Sequence, residues 1–149
     1  MGIENAIQQR NFRNEYQKAN INLIYTYHWL VERGRKFLAN DDITSQQYNI
    51  LRILRGSGKP LSTLQIRDRM LDKMSDTSRI VDRLVLKELV EKRTCAQDKR
   101  LVDVSITLKG LALLEKLDAS NEEMDNVLNN LTDDEARLLN MLLDKMRND

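Results

Sequence analysis

Asp98-Lys99-Arg100-Leu101-Val102-Asp103-Val104-Ser105-Ile106-Thr107-Leu108-Lys109-Gly110 passes from a polar run through an alternating one into a helix start. Val102, Val104 and Ile106 alternate with Asp103 and Ser105, the period of a strand with one apolar face, so Leu101 to Ile106 reads as a strand. Just upstream, Glu91 to Cys95 reads as a second short strand. The polar run Ala96-Gln97-Asp98-Lys99-Arg100 lies between the two, and together they predict a β-hairpin. Thr107 ends the alternation, and its hydroxyl suits the N-cap of a helix carrying Leu111, Leu114 and Leu117.

Apart from the turns, the rest of the chain has helical spacing. Residues 4–38 predict one long helix, with Gly34 as the point where it would break; Tyr16, Ala19, Leu23, Tyr27, Leu30 and Val31 mark its apolar positions. Asn40-Asp41-Asp42 interrupts it, and Thr44-x-x-Gln47 has the capping-box pattern that opens a second helix. Gly56-Ser57-Gly58-Lys59-Pro60 is the strongest turn signal in the chain. A further capping box, Ser62-x-x-Gln65, opens a short helix to about Leu71. Ser75 is read as the N-cap of the helix with Ile80, Val81, Leu84 and Leu89. Two short helices joined tightly predict a helix-turn-helix, with the hairpin behind it as a wing. After the Thr107 helix, whose apolar residues continue through Met124, Val127 and Leu128, Thr132-x-x-Glu135 starts the last one. The expected fold is mostly α with a small β-hairpin wing (α+β): a winged helix-turn-helix core between N- and C-terminal dimerisation helices.

The net charge of +1 conceals a gradient. Residues 52–109 carry 14 basic and 8 acidic side chains, whereas residues 110–149 carry 4 and 10. A basic middle between a neutral start and an acidic end suits a polyanionic partner, although solvated helix faces read the same way on charge alone. The chain has one Pro and five Gly in 149 residues, which fits long helices. No apolar run approaches membrane-spanning length, so no membrane is expected among the partners. The polar segment Met1 to Arg13 lacks the apolar core of a signal peptide. With Cys95 alone, no intramolecular disulfide forms, which fits a cytoplasmic protein. One His and one Cys cannot supply a His/Cys structural zinc site. No phosphate-cradling glycine loop occurs, and no Ser-His-Asp arrangement can be argued around His28. The expectation is a non-enzyme without metal or cofactor.

The order of elements, and above all the quoted stretch, resembles the MarR-type winged-helix regulators. Asp98-x-Arg100, a strand, and then Thr107-x-x-Gly110 opening a helix is similar to that family's wing signature. Arg79-Ile80-Val81-Asp82-Arg83-Leu84 resembles its recognition helix. Two positions depart from the pattern: Glu88-Leu89-Val90 stands where Gly-Leu-Val is common, and Lys92 stands where Arg is common. A glycine there would take a left-handed C-cap cheaply, so the helix end is expected to differ. The resemblance implies a regulator, expected to be a repressor, that acts on double-stranded DNA and is released by a small, often aromatic, effector.

Physical needs assign the residues. Lys and Arg attract phosphates, whereas sequence is read on base edges. The recognition helix enters the major groove by its N-terminal end, which places Ser75, Thr77, Ser78, Arg79 and Arg83 as DNA contacts. In the wing, Arg100 is expected to enter a minor groove, with Asp98 restraining the loop and Lys99 adding phosphate attraction. The outer helices are more apolar than one small lobe requires, so a homodimer on a palindromic operator is expected, with Ile3, Ile7, Leu131, Leu139, Leu142 and Met146 in its interface. The whole chain, 1–149, is one unit: 1–40 and 108–149 dimerise and 44–107 bind DNA. Tyr25, His28, Trp29 and Tyr48 are the ligand-pocket candidates. The competing reading of these aromatics is ordinary core with satisfied polar tips. Cys95 reads as a passive small residue. The rival function is a winged-helix module that docks a partner protein without reading DNA.

Overall fold

A computed structural model describes residues 1–98 and 100–148 of the chain. Its elements in order are α1 (Ile3–Ala6), α2 (Glu15–Leu38), a 3-10 turn (Ala39–Asp41), α3 (Ser45–Ser57), β1 (Leu61–Ser62), α4 (Thr63–Arg69), α5 (Thr77–Leu86), β2 (Val90–Thr94), β3 (Val102–Ile106), α6 (Leu108–Asp118), α7 (Asn121–Asp125), a second 3-10 turn (Asn126–Leu128) and α8 (Asp133–Arg147). The expected winged helix-turn-helix is present: α4 and α5 form the helix-turn-helix and β2–β3 the wing.

Side-chain caps start these helices as the sequence indicates. Thr44, Ser62 and Thr132 each accept from a backbone N–H three residues on, and Gln47, Gln65 and Glu135 reach back, so all three capping boxes form. Thr107 accepts from Gly110 N–H and opens α6. The long N-terminal helix is divided, but not at Gly34, which lies within α2. The division comes earlier. Gln8 takes a left-handed φ of 55°, and Asn14 caps α2 by accepting from Gln17 N–H. The helix after Thr107 likewise ends at Asp118 rather than running on to Leu128. At α5 the cap is Asp76, one residue later than expected: its carboxylate accepts from Arg79 N–H at 3.2 Å, and Ser75 precedes the helix. Both residue types are good caps, and local sequence does not choose between neighbours of equal propensity.

The hairpin gains a third strand that the sequence does not announce. The sheet order is β1-β3-β2, all antiparallel, with Leu61 opposite Val104 and Lys92 opposite Val104 on the other side. Two residues are too short for alternation to register, so β1 exists through its pairing alone. The core gathers between this sheet and the helices, with Ile50, Leu51, Leu54, Leu61, Ile66, Val81, Leu84, Val104 and Leu114 fully buried. It also draws Leu38 from α2 and Leu117 from α6. Arg55 and Asp118 close the far end of α3 on α6 through paired hydrogen bonds of 2.6 and 3.2 Å. That hydrogen bond holds the Asp118 carboxyl below the usual carboxylate range.

The end of the recognition helix keeps a geometry that glycine would adopt more easily. Leu89 N–H donates to Leu84 O (3.1 Å) and Glu88 N–H to Val85 O (2.9 Å), the two bonds of a Schellman cap. Glu88 accordingly sits at φ +59°. The expected departure in cap geometry is therefore not seen; the chain keeps the left-handed turn at a cost of about 1 kcal/mol. Tertiary bonds hold it there: Thr107 Oγ1 donates to Glu88 O at 2.8 Å, and Thr107 N–H to Leu89 O at 3.1 Å.

Gly110 has a different reason to be glycine. A Cβ at this position would lie 2.4 Å from Leu89 O and 2.7 Å from Ile106 Cγ1. Gly110→Ala is therefore expected to destabilise the chain by about 2 kcal/mol in urea denaturation, within the usual range for overpacking. Glu88→Gly should act in the opposite direction. Relief of the left-handed strain exceeds the added chain entropy, and the urea midpoint should rise by the equivalent of about 0.5 kcal/mol.

Candidate nucleic-acid interface

Two adjoining structures carry the predicted contacts: the N-terminal half of α5 and the wing. On α5, Ser78, Arg79 and Arg83 are exposed. Arg79 and Arg83 are one turn apart, so their guanidinium groups leave the same face of the helix. Neither takes part in an ion pair among the described residues. The intervening Asp82 bonds to Lys92 of β2, which masks its negative charge and ties the recognition helix to the wing. Glu91 and Arg93 pair at 2.9 Å farther along the same strand.

Two of the sequence-predicted contacts lie elsewhere than expected. Thr77 is 2% exposed, so its side chain faces the core and not a groove. The Ser75 hydroxyl is also buried, and neither oxygen has a hydrogen-bond partner among the described residues. The first helical turn must bury one side, and Thr77 falls on it, four residues before the core residue Val81. Exposed Asp76 caps the helix in place of Ser75.

At the wing tip, Asp98 Oδ1 accepts from the Arg100 backbone N–H at 3.0 Å and from Arg100 Nε at 3.3 Å. The aspartate thus fixes both the turn and the root of the guanidinium. Leu101 N–H closes the same turn on Asp98 O at 3.0 Å. The Arg100 side chain is 91% exposed. A guanidinium held at its Nε still presents its two terminal nitrogens outward. Lys99 lies outside the described residues. Cys95 sits just beyond β2 and is partly buried.

The second cluster of interest is on α2. An open apolar groove of about 450 Å³ is lined by Ile7, Ile24, Tyr25, His28, Trp29 and Glu32, among others. It brings together three of the four pocket candidates. Tyr48 is not among them: it packs partly buried on the lobe core, with the Arg52 guanidinium 5.6 Å from its ring centre. Sequence proximity of α2 and α3 does not place their aromatic residues on one surface.

The dimer candidates divide as well. Ile3 is 6% exposed and lies with Ile7 along α2, so the N-terminal pair is largely used within the chain. Leu139, Leu142 and Met146 are exposed at 38%, 47% and 62%, with Leu131 half-buried. Among the described residues, α8 buries none of its fifteen, and α2 buries only Leu38 of its twenty-four. No helix among the described residues is long and apolar enough to cross a membrane. No group of three or more His, Cys, Asp or Glu among them is placed to hold a metal ion.

Comparison with known proteins agrees with this geometry. The MarR family model matches residues 41–101, which span the helix-turn-helix and the first strand of the wing and stop before β3. The HTH-type transcriptional regulator MhqR of Bacillus subtilis is 25% identical over 131 residues, covering 87% of this chain and 89% of that protein. The structure of a cysteine-to-serine mutant of MarR from Escherichia coli, complexed with operator DNA, superposes with a TM-score of 0.83 at 26% identity, covering 93% of this chain and all of that one. A MarR transcription factor from Planctomyces limnophilus is 30% identical with a TM-score of 0.68, covering 90% of this chain and 98% of its own. The chain belongs to the MarR family and is a DNA-binding regulator of transcription.

Proposed function

We propose that the chain acts as a homodimeric repressor that reads a palindromic duplex operator with α5 and the wing. The observation that carries this reading is Arg100, held at the wing tip by Asp98 with its outer nitrogens free. Such an arginine suits the concentrated negative potential of a narrow minor groove. Ser78, Arg79 and Arg83 supply the major-groove face of α5; Arg79 or Arg83 can meet guanine O6 and N7 with two parallel hydrogen bonds. Lys99 adds phosphate attraction at the wing. The relative solved with operator DNA supports duplex DNA as the partner.

Dimerisation follows from the apolar faces of α2 and α8, which a single chain leaves in water. Ile24, Leu30 and Val31 of α2 and Leu138, Leu139, Leu142 and Met146 of α8 are all exposed. Burying such surface yields roughly 25 cal/mol per Å². Residues 1–40 and 108–149 form this half and residues 44–107 the DNA-binding half, with α6 shared because Leu114 and Leu117 belong to the lobe core. A twofold dimer sets two α5 helices on half-sites about 34–36 Å apart. The groove beside Tyr25, His28 and Trp29 has apolar walls and few polar groups, the composition of a site for a small aromatic effector. We read the protein as cytoplasmic and non-catalytic, in keeping with the regulators it resembles.

Selection of bound fragments from random duplex DNA is expected to enrich an inverted repeat with half-sites one helical turn apart, and affinity should fall steeply with salt. A pool that stays random, with a partner protein bound instead, would establish the docking-module alternative. Arg100→Ala is expected to weaken operator binding about 10- to 100-fold in a gel-shift titration, while the urea midpoint moves by less than about 0.5 kcal/mol equivalent. Unchanged affinity would remove Arg100 from the contact set.

A further inference from the structure

Lys87 closes the recognition helix at its C-terminal end and performs none of the contacts assigned above. Its side chain leaves the DNA-facing part of the lobe and crosses to the junction of α2 and α3. There Nζ donates to the Asp42 backbone carbonyl and, at 3.2 Å, to Oε1 of Gln47; the Asp42 carboxylate is 3.8 Å away. Both acceptors are firmly placed. Gln47 is 4% exposed, and its Oε1 also accepts from Thr44 N–H in the α3 capping box. Asp42 is held at φ +50°, at the end of the 3-10 turn that continues α2.

A cleft of about 380 Å³ lies beside this bridge, between α2 and the start of α3. Val31, Arg35 and Leu38 of α2 form one wall, Thr44 and Ser45 another, and Lys87 stands at its edge. From the opposite side, Lys109 Nζ donates to the Lys87 carbonyl at 3.0 Å, which ties the same residue to α6. The C-terminal end of α5 is thus referenced to the α2–α3 junction through one side chain and to α6 through one carbonyl. Three donor positions on one ammonium, spread over two fixed acceptors, restrict rotation as well as distance.

We propose that Lys87 is a positioning residue that sets the tilt of the recognition helix relative to the dimerisation helix α2. This rests on the dimeric, DNA-reading function proposed above. In a twofold dimer α2 belongs to the frame that relates the two halves, so a fixed tilt of α5 becomes a fixed separation of the two recognition helices. Lys87 thereby contributes to discrimination of half-site spacing while touching no DNA. Rigid referencing of this kind costs little in the free protein and penalises any site that would require the helices to move.

The test compares operators with the selected spacing and with one base pair inserted between half-sites, for the wild type, Lys87→Met and Lys87→Arg. The wild type should prefer the selected spacing by about tenfold or more. Lys87→Met should reduce that ratio to about threefold or less, chiefly by loss at the selected spacing, and Lys87→Arg, which keeps a charged donor, should restore most of it. A second readout needs no DNA. Spin labels at position 78 of both protomers, in a Cys95→Ser background, should give a narrow distance distribution that broadens in Lys87→Met at temperatures where the melt shows a folded protein. If Lys87→Met does not fold, Lys87→Gln, which keeps a donor for the Asp42 carbonyl, is scored against the same two measures with partial effects expected. A spacing ratio and distance distribution unchanged from wild type would overturn the proposal. A wild type that does not distinguish the two spacings would overturn it together with the dimeric reading beneath it.

Discussion

The lobe depends on one crowded junction, where the carbonyl of Leu89 meets the first turn of α6. Thr107 N–H donates to that carbonyl, and Gly110 lies beneath it with no room for a Cβ. Three elements converge there: the cap of the recognition helix, the base of the wing, and the helix that leads away to the C-terminal half. The Thr107 hydroxyl serves two neighbours at once, donating to Glu88 O and accepting from Gly110 N–H. A threonine can do so because its oxygen carries one proton and two lone pairs. The left-handed Glu88 is a consequence of this constraint. The chain must turn sharply between α5 and β2, and the bonds that secure the turn come from residues about twenty positions later.

From that junction the charge distribution acquires a spatial meaning. The basic middle of the chain is organised rather than uniform. Lys92, Arg93, Lys87 and Arg55 are committed to carboxylates or carbonyls and act as internal ties. Exposed ion pairs of this sort contribute little stability individually, but they orient the side chains that remain free. Arg79, Arg83 and the outer nitrogens of Arg100 stay exposed. The lobe therefore buries its apolar residues around the sheet, spends part of its positive charge on geometry, and presents the rest outward. Meanwhile α2 and α8 carry apolar side chains that stay exposed among the described residues, the physical ground for assembly.

Much of this was legible beforehand where the signal is local. Thr44, Ser62, Thr107 and Thr132 start helices because a short hydroxyl satisfies otherwise unpaired N–H groups, and that chemistry is complete within four residues. The β3 alternation likewise needs no distant information. The misreadings have a common cause as well. Ser75 and Asp76 are comparable caps, and only packing of the α4–α5 turn selects the second. Thr77 reads as a polar surface residue, yet the phase of α5 against the core turns it inward. Closeness in sequence groups Tyr48 with Tyr25, His28 and Trp29, while α3 directs it to the lobe.

Caps, periodicity and short spacing encode the order and type of the main elements, the wing with its Asp98–Arg100 pair, and the family. The third strand, the required glycine at position 110, the left-handed Glu88 and the face of α5 that meets solvent emerge with the folded chain. Those features arise from contacts between residues tens of positions apart. Their energy lies in close approach and shared hydrogen bonds, which no local window of the chain contains.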